Sequence, residues 1–189
     1  MSEALDQDAT SATIAAQVRA GTVSARDVIE TALSRIDALD DRYNAFTTTT
    51  RERARAAAAS IDTARAAGKD PGSLAGVPFA VKNLFDLEGV VTLAGSKINR
   101  DNAPAAHDGP LVARLEQAGA VCVGALNMGE YAYDFTGENL HDGPSRNPHD
   151  PTRMSGGSSG GSGTAVAAGM VPLALGSDTN GSIRVPSAF

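Results

Sequence analysis

The sequence lacks tryptophan, has one cysteine, and carries aromatic side chains at only 4% of its 189 positions. The single cysteine, Cys122, excludes an internal disulfide, and it lies in the apolar run 121–123, which predicts a buried thiol. Because a chain without disulfides is typical of a reducing compartment, we expect a cytoplasmic location.

Features that would bring the chain to membranes or nucleic acids are also missing. No apolar run reaches the roughly 18 residues that span a bilayer. The acidic start, residues 1–6, lacks the cationic region of a signal peptide. The formal net charge is −6, which opposes binding to phosphate backbones and anionic lipids. We therefore expect no membrane partner and no direct contact with nucleic acid.

Metal-ligand clusters and paired carboxylates do not stand out either. Each of the three histidines has Asp, Pro, Gly or Asn neighbours that predict a loop or surface position: His107, His141 and His149. Such positions disfavour a Ser-His-Asp triad, whose histidine must be buried and oriented by a carboxylate. The sequence therefore gives no support for metal catalysis.

Lysine is scarce, with three residues against thirteen arginines. Lys69 and Lys97 lie in polar, turn-like stretches, whereas Lys82 lies in the apolar, strand-like run 77–85. A lysine in a strand usually reaches solvent with its terminal amine. The alternative is a desolvated amine with a lowered pKa that acts as a base. The residues alone leave both interpretations open.

Two regions differ in pattern. Residues 1–70 are predicted to be helical, with one helix capped by Ser24 and continuing through Leu39, and a surface helix over 51–67 that ends at Gly68. From residue 71, the spacing predicts α/β architecture. Its elements are a strand in 77–85, a helix over 108–118 capped by Asp108 with Pro110 in its first turn, a strand over 120–125, a helix over 164–169 and a strand over 172–175.

Glycine is distributed unevenly, since residues 155–181 contain eight and the first fifty contain only Gly21. The segment 156–163 lacks the lysine of a phosphate-binding loop. It matches Gly-x-Ser-x-Gly, but the strand that must precede a nucleophile elbow is missing. A flexible linker is the remaining simple interpretation, and the apolar helix and strand predicted to follow weaken it.

Serine activated by lysine is the nucleophilic chemistry that remains, because a desolvated lysine can supply the base that serine needs. Ser182 follows a predicted strand in a Gly- and Asn-containing turn whose backbone N–H groups can converge on an oxyanion. Asn180 suits this turn because it adopts positive φ more readily than most residues. Asp178 and Arg184 flank the turn, and we expect them to pair across it and hold it rigid.

Three motifs together resemble the amidase signature family, and the resemblance covers nearly the whole chain. They are Gly-Val-Pro-Phe-Ala-Val-Lys at 76–82, Gly-Gly-Ser-Ser-Gly-Gly-Ser at 156–162, and Gly-Ser-Asp-Thr-Asn-Gly-Ser-Ile-Arg at 176–184. Residues 127–132, 138–139 and 146–148 fit the connecting region. The sequence departs from the family at Asn180, where many members have glycine, and at Asn83, where aspartate is common.

The resemblance implies a Ser–Ser–Lys triad without cofactor or metal. Ser182 is the implied nucleophile, Ser158 the bridging serine that follows a cis peptide bond, and Lys82 the base. The implied oxyanion donors are backbone N–H groups, those of Thr179, Asn180, Gly181 and Ser182.

The implied fold is a mixed β-sheet flanked by helices, with a helical N-terminal region. Family members are more than twice as long as this chain. We therefore expect residues 71–189 to be the N-terminal part of a single α/β core, whose C-terminal part follows the nucleophile and is absent here.

The implied activity is hydrolysis of a small linear amide or ureide through a serine acyl-enzyme, as in bacterial amidases of ureide breakdown. The alternative is the glutaminase subunit of a tRNA-dependent amidotransferase. A third hypothesis is a non-catalytic interaction protein that keeps the fold. The implied partners are the small-molecule substrate and either a second copy of the chain or a small accessory subunit.

Overall fold

A four-stranded mixed sheet lies at the centre of the structure, a computed structural model that describes residues 3–189. The strands are β1 Phe46–Thr49, β2 Pro78–Lys82, β3 Val121–Leu126 and β4 Leu173–Leu175. The α-helices are α1 Ser11–Ala20, α2 Ala25–Tyr43, α3 Arg51–Ala66, α4 Pro110–Gln117, α5 Gly160–Ala167 and α6 Arg184–Ser187. Short 3-10 helices occupy Glu3–Leu5, Lys97–Asn99 and Glu130–Ala132. The predicted fold class, a mixed sheet flanked by helices, is confirmed.

The sheet has the order β1-β3-β2-β4, with β2 parallel to both β3 and β4 and with β1 antiparallel to β3. Every residue of β2 and β3 is buried, which explains why both strands are apolar along nearly their whole length. Lys82 is the last residue of β2 and pairs in register with Leu126, the last residue of β3. The parallel strands therefore deliver Lys82 to their shared carboxyl edge, where open α/β sheets usually place ligand sites.

The N-terminal region contains the predicted helices and one strand that the sequence did not indicate. The Ser24 side chain accepts a hydrogen bond from the Asp27 N–H and caps α2 as predicted. Residues 46–49, expected to be helical, instead form β1 at the edge of the sheet. The β-branched threonines of β1 suit a strand, and pairing with β3 satisfies their backbone groups. The region 1–70, predicted to be helical, thus contributes a strand to the central sheet.

Two helix starts also differ from the prediction. Helix α4 is preceded by Gly109 as its N-cap, with Pro110 in its first turn, and Asp108 does not cap it. The Asp108 carboxylate instead pairs with Arg53 and accepts a hydrogen bond from the Glu88 N–H. Helix α5 begins at Gly160 rather than at residue 164, so half of the 156–163 segment is helical and is not a linker.

The expected positions of the cysteine and histidines are confirmed. Cys122 is fully buried, and burial raises the pKa of its thiol to about 12. His107 and His149 are exposed in loops, and His141 lies in a turn with its Nε2 3.0 Å from Glu130 Oε1. Within residues 3–189, no helix is both long enough and apolar enough to cross a membrane.

Replacing Ile29 by alanine tests the buried face of α2. Ile29 is fully buried in the core, so Ile29→Ala should lower the free energy of unfolding by about 2–5 kcal/mol. Urea denaturation with an unchanged m-value measures this loss. The matched control is Ile98→Ala, because Ile98 is 72% exposed and its truncation should change stability by no more than about 0.5 kcal/mol. Equal losses for the two variants would contradict the described core.

Candidate active site

Lys82 is fully buried, yet its amine has polar partners. Its Nζ donates to Ser158 Oγ at 2.6 Å and to Ser177 Oγ at 2.9 Å. Burial lowers the pKa of the Lys82 amine to about 8, because the charged form loses its hydration, while the charges of Asp178 and Asp134 oppose this shift. The amine can therefore be neutral near physiological pH, as a base must be before it accepts a proton.

Ser158 lies two residues before α5, whose N-cap is Ser159, and it is fully buried. The Gly157–Ser158 peptide bond is cis, as the resemblance implied. The neighbouring hydroxyl, that of Ser159, faces a different partner: its Oγ donates to the Ser177 carbonyl and accepts from the Ser177 N–H, both at 3.2 Å. The structure thus places Ser158, and not Ser159, against the Lys82 amine.

Ser177 is a site residue that the sequence reasoning missed. It holds Lys82 through its hydroxyl, and Ser159 holds Ser177 through both backbone groups. Its position directly before Asp178, after β4, was the available signal: β4 is parallel to β2, so the residues that follow the two strands meet at one edge.

The turn that carries Ser182 is closed by the Asp178 carboxylate. Asp178 accepts hydrogen bonds from the backbone N–H groups of Gly181, Ile183 and Arg184 at 2.7–3.0 Å. It also pairs with the Arg184 guanidinium, at 2.8 Å from Nη2 and 3.1 Å from Nε, so the predicted ion pair is confirmed. The hydrogen bond from the Arg184 side chain, followed by those from the backbone, holds the pKa of the Asp178 carboxyl well below its usual range.

Ser182 lies in this turn and is 6% exposed. Its carbonyl accepts from the Ser159 N–H at 3.0 Å, which joins the two serine segments. Among the described residues, the Ser182 hydroxyl makes no hydrogen bond. The structure therefore joins Lys82 to Ser158 directly, and it joins the Ser182 turn to Ser159, the residue after Ser158, through the backbone.

The four backbone N–H groups expected to hold an oxyanion are not equivalent. The Gly181 N–H is engaged by Asp178 Oδ1 at 2.7 Å. The N–H groups of Thr179, Asn180 and Ser182 form no hydrogen bond with any residue in 3–189. These three donors stay available to a ligand.

Comparisons with known proteins identify the family. The amidase family model matches residues 27–189. The chain is 64% identical over 172 residues to AtzE of Pseudomonas sp. (strain ADP), which is a subunit of 1-carboxybiuret hydrolase; the alignment covers 91% of this chain and 38% of that protein. It is 48% identical over 182 residues to a glutamyl-tRNA(Gln) amidotransferase subunit of Chromohalobacter salexigens, covering 96% of this chain and 37% of that one.

The fold comparison gives the same result. A solved structure described as a vestigial protein complex that reveals the origins of an s-triazine catabolic enzyme superposes with a TM-score of 0.93 at 62% identity. The superposition covers 94% of this chain and 39% of that one, so the chain spans about two fifths of the relatives that it matches. The family match, the identities and the superposition together show that the chain belongs to the amidase signature family, whose members include hydrolases of amide C–N bonds.

Proposed function

We propose that the protein hydrolyses a linear amide or ureide through an acyl-enzyme on Ser182, with Ser158 as the bridging serine and Lys82 as the base. The observation that supports this most directly is the 2.6 Å hydrogen bond between Lys82 and Ser158, two groups that are both fully shielded from water. A buried amine beside a buried hydroxyl is suited to moving a proton, because no solvent competes for it.

In the proposed reaction, Ser158 passes its proton to Lys82 Nζ and takes the proton of Ser182. The Ser182 oxygen forms a bond with the substrate carbonyl carbon, and the carbonyl electrons move to oxygen. When this intermediate collapses, the C–N bond breaks, Ser158 gives a proton to the leaving amine, and Lys82 returns a proton to Ser158. Water then attacks the acyl-enzyme by the same proton path and releases the acid.

The developing oxyanion is proposed to lie in the turn 179–182. Thr179, Asn180 and Ser182 offer N–H groups that have no other partner within residues 3–189. Ser182 is buried, whereas Thr179 and Asn180 are exposed in this chain, so these two donors act on an oxyanion at full strength only when the site is closed to water. Gly181, the fourth predicted donor, joins them only if its N–H leaves Asp178. The bond between Asp178 and Arg184 keeps the turn in place while charge develops.

A ureide substrate is favoured over glutamine by the higher identity to the 1-carboxybiuret hydrolase subunit, 64% against 48% for the amidotransferase subunit. Glutaminase activity within a tRNA-dependent amidotransferase is the second candidate, supported by the coverage of 96% of this chain by that relative. Both relatives are described as subunits, which supports a small accessory subunit or a second copy of the chain as partner.

The two candidates differ in substrate preference. With the natural full-length protein, we expect kcat/KM for biuret-type ureides to exceed that for glutamine by at least about tenfold, since specificity follows from differences in transition-state binding. Ammonia release measures both reactions. A preference for glutamine would establish the amidotransferase alternative instead.

Replacing the proposed nucleophile should abolish turnover. Ser182→Ala is expected to lower kcat by at least about 1,000-fold, because no other hydroxyl carries the acyl group. The matched control is Ser187→Ala, since Ser187 is exposed on α6 and should leave kcat unchanged. A fluorophosphonate probe should label the parent protein and not Ser182→Ala. Failure to label the folded parent protein would favour the non-catalytic hypothesis.

The proposed base predicts a pH profile. The Lys82 amine has its pKa lowered to about 8, so below this pH the neutral fraction falls tenfold per unit, and kcat/KM should fall with it. Above about pH 8 the rate should level off. Steady-state kinetics between about pH 6 and 9 measure this fall in kcat/KM at acid pH, which we call the acid limb. The residual rate of Lys82→Ala should show no acid limb. A parent profile that stays flat over this range would contradict Lys82 as the base.

A further inference from the structure

The carboxylate of Asp134 closes a tight turn beside the site. Its Oδ1 accepts from the Thr136 N–H at 2.8 Å and from the Thr136 hydroxyl at 2.6 Å, and its Oδ2 accepts from the Gly137 N–H at 2.7 Å. One side chain thus fixes three donors of the segment 134–137. Such Asp-centred turns are common in loops and do not by themselves indicate a function.

What distinguishes this turn is the segment that it holds. The Gly156 N–H donates to the Thr136 carbonyl at 3.0 Å, and the Gly157 N–H donates to the Phe135 carbonyl at 2.9 Å. Gly157 is the residue bonded to Ser158. The turn therefore determines where the backbone enters Ser158.

Asp134 also packs against two glycines, Gly157 and Gly129, that lie next to Ser158. A Cβ on Gly157 would overlap Asp134 Oδ2, and a Cβ on Gly129 would lie only 2.5 Å from Asp134 Cβ. The Gly129 N–H in turn donates to the Ser158 carbonyl at 3.1 Å. The Asp134 side chain is therefore packed between two glycine backbones that both adjoin Ser158, and only glycine permits such an approach.

Asp134 and Asp178 are the two carboxylates whose charges act on Lys82, and they differ in ion pairing. Asp178 is neutralised by Arg184. Within the described part of the chain, Asp134 forms no salt bridge, so its negative charge is not compensated by a cation of its own. Both charges favour the protonated amine of Lys82 and so oppose the effect of its burial.

We propose that Asp134 is a positioning residue of this site, which holds Ser158 against Lys82 through the 134–137 turn and whose negative charge, uncompensated by a cation among residues 3–189, favours the protonated form of the amine. The inference rests on the proposed function, in which Lys82 and Ser158 transfer the proton. It goes further by assigning a role to a carboxylate outside the three motifs.

A second turn in the same chain supplies a matched control. Asp150 Oδ1 accepts from the Thr152 N–H at 3.0 Å and from the Thr152 hydroxyl at 2.6 Å, which repeats the geometry at Asp134. Asp150 pairs with Arg153, and its charge is not among those that act on Lys82. Asp150→Asn therefore weakens a comparable turn but removes no charge that acts on Lys82, and it serves as the matched control.

The experiment compares Asp134→Asn, Asp134→Ser and Asp150→Asn in the natural full-length protein, with thermal unfolding as the check on folding. Asparagine keeps an acceptor for Thr136, and a serine hydroxyl can cap the same turn, so both variants retain part of the local geometry. We expect kcat of the folded Asp134 variants to fall by about tenfold or more, with KM within about twofold, because small displacements of reacting groups are costly.

The pH profile separates positioning from a merely structural role. Loss of the negative charge lowers the pKa of the Lys82 amine, so the acid limb of kcat/KM should move to lower pH by at least about 0.3 units. Asp150→Asn should keep both kcat and the limb of the parent protein. If the folded Asp134 variants keep the parental kcat, or if their limb does not move, the proposal is overturned.

If the proposed function itself is wrong, the experiment gives a different set of rates. In that case Ser182→Ala and Lys82→Ala retain the parental rate, whatever the Asp134 variants do. If those two variants are inactive while Asp134→Asn and Asp134→Ser behave like Asp150→Asn, only the role of Asp134 is wrong.

Discussion

The removal of the Lys82 amine from water is the constraint on which the rest of the site depends. A buried ammonium loses several kcal/mol of hydration unless other groups replace it. Here two hydroxyls, those of Ser158 and Ser177, take the place of water. They come from segments far away in the chain, 76 and 95 residues from Lys82. Both segments must therefore fold against the end of β2, and burial of one amine links the three motifs physically.

Close backbone approach is the means by which the segments reach Lys82. Gly161 lies so near the carbonyls of Ala45 and Asn127 that a Cβ would be 2.5 Å from each oxygen. Likewise, a Cβ on Gly176 would lie 2.9 Å from Ser159 Oγ. The glycine-rich character of residues 155–181 is thus a packing requirement, because the start of α5 and the Ser182 turn occupy space in which side chains do not fit.

Local pattern predicted those elements whose stability is mostly local or whose burial is complete. Helix α2 has its own cap at Ser24 and an apolar stripe, and β2 and β3 are continuous apolar runs. The errors lie where a distant partner competes with local preference. Asp108 pairs with Arg53 and does not cap α4. Residues 46–49 form a strand because β3 offers an unpaired edge. Local propensity carries no information about either of these distant partners.

The sequence by itself determined the α/β class, the buried cysteine, the scarcity of lysine and the three motifs by which the family is recognised. The tertiary structure decided what Lys82 is: a buried amine with its pKa lowered to about 8, rather than a strand lysine that reaches solvent. It also showed that Ser177, which lies in the third motif but was assigned no role there, is a partner of the Lys82 amine. The reason is physical, since desolvation and the field of nearby charges depend on packing among distant residues, and neither is encoded in the neighbours of a residue along the chain.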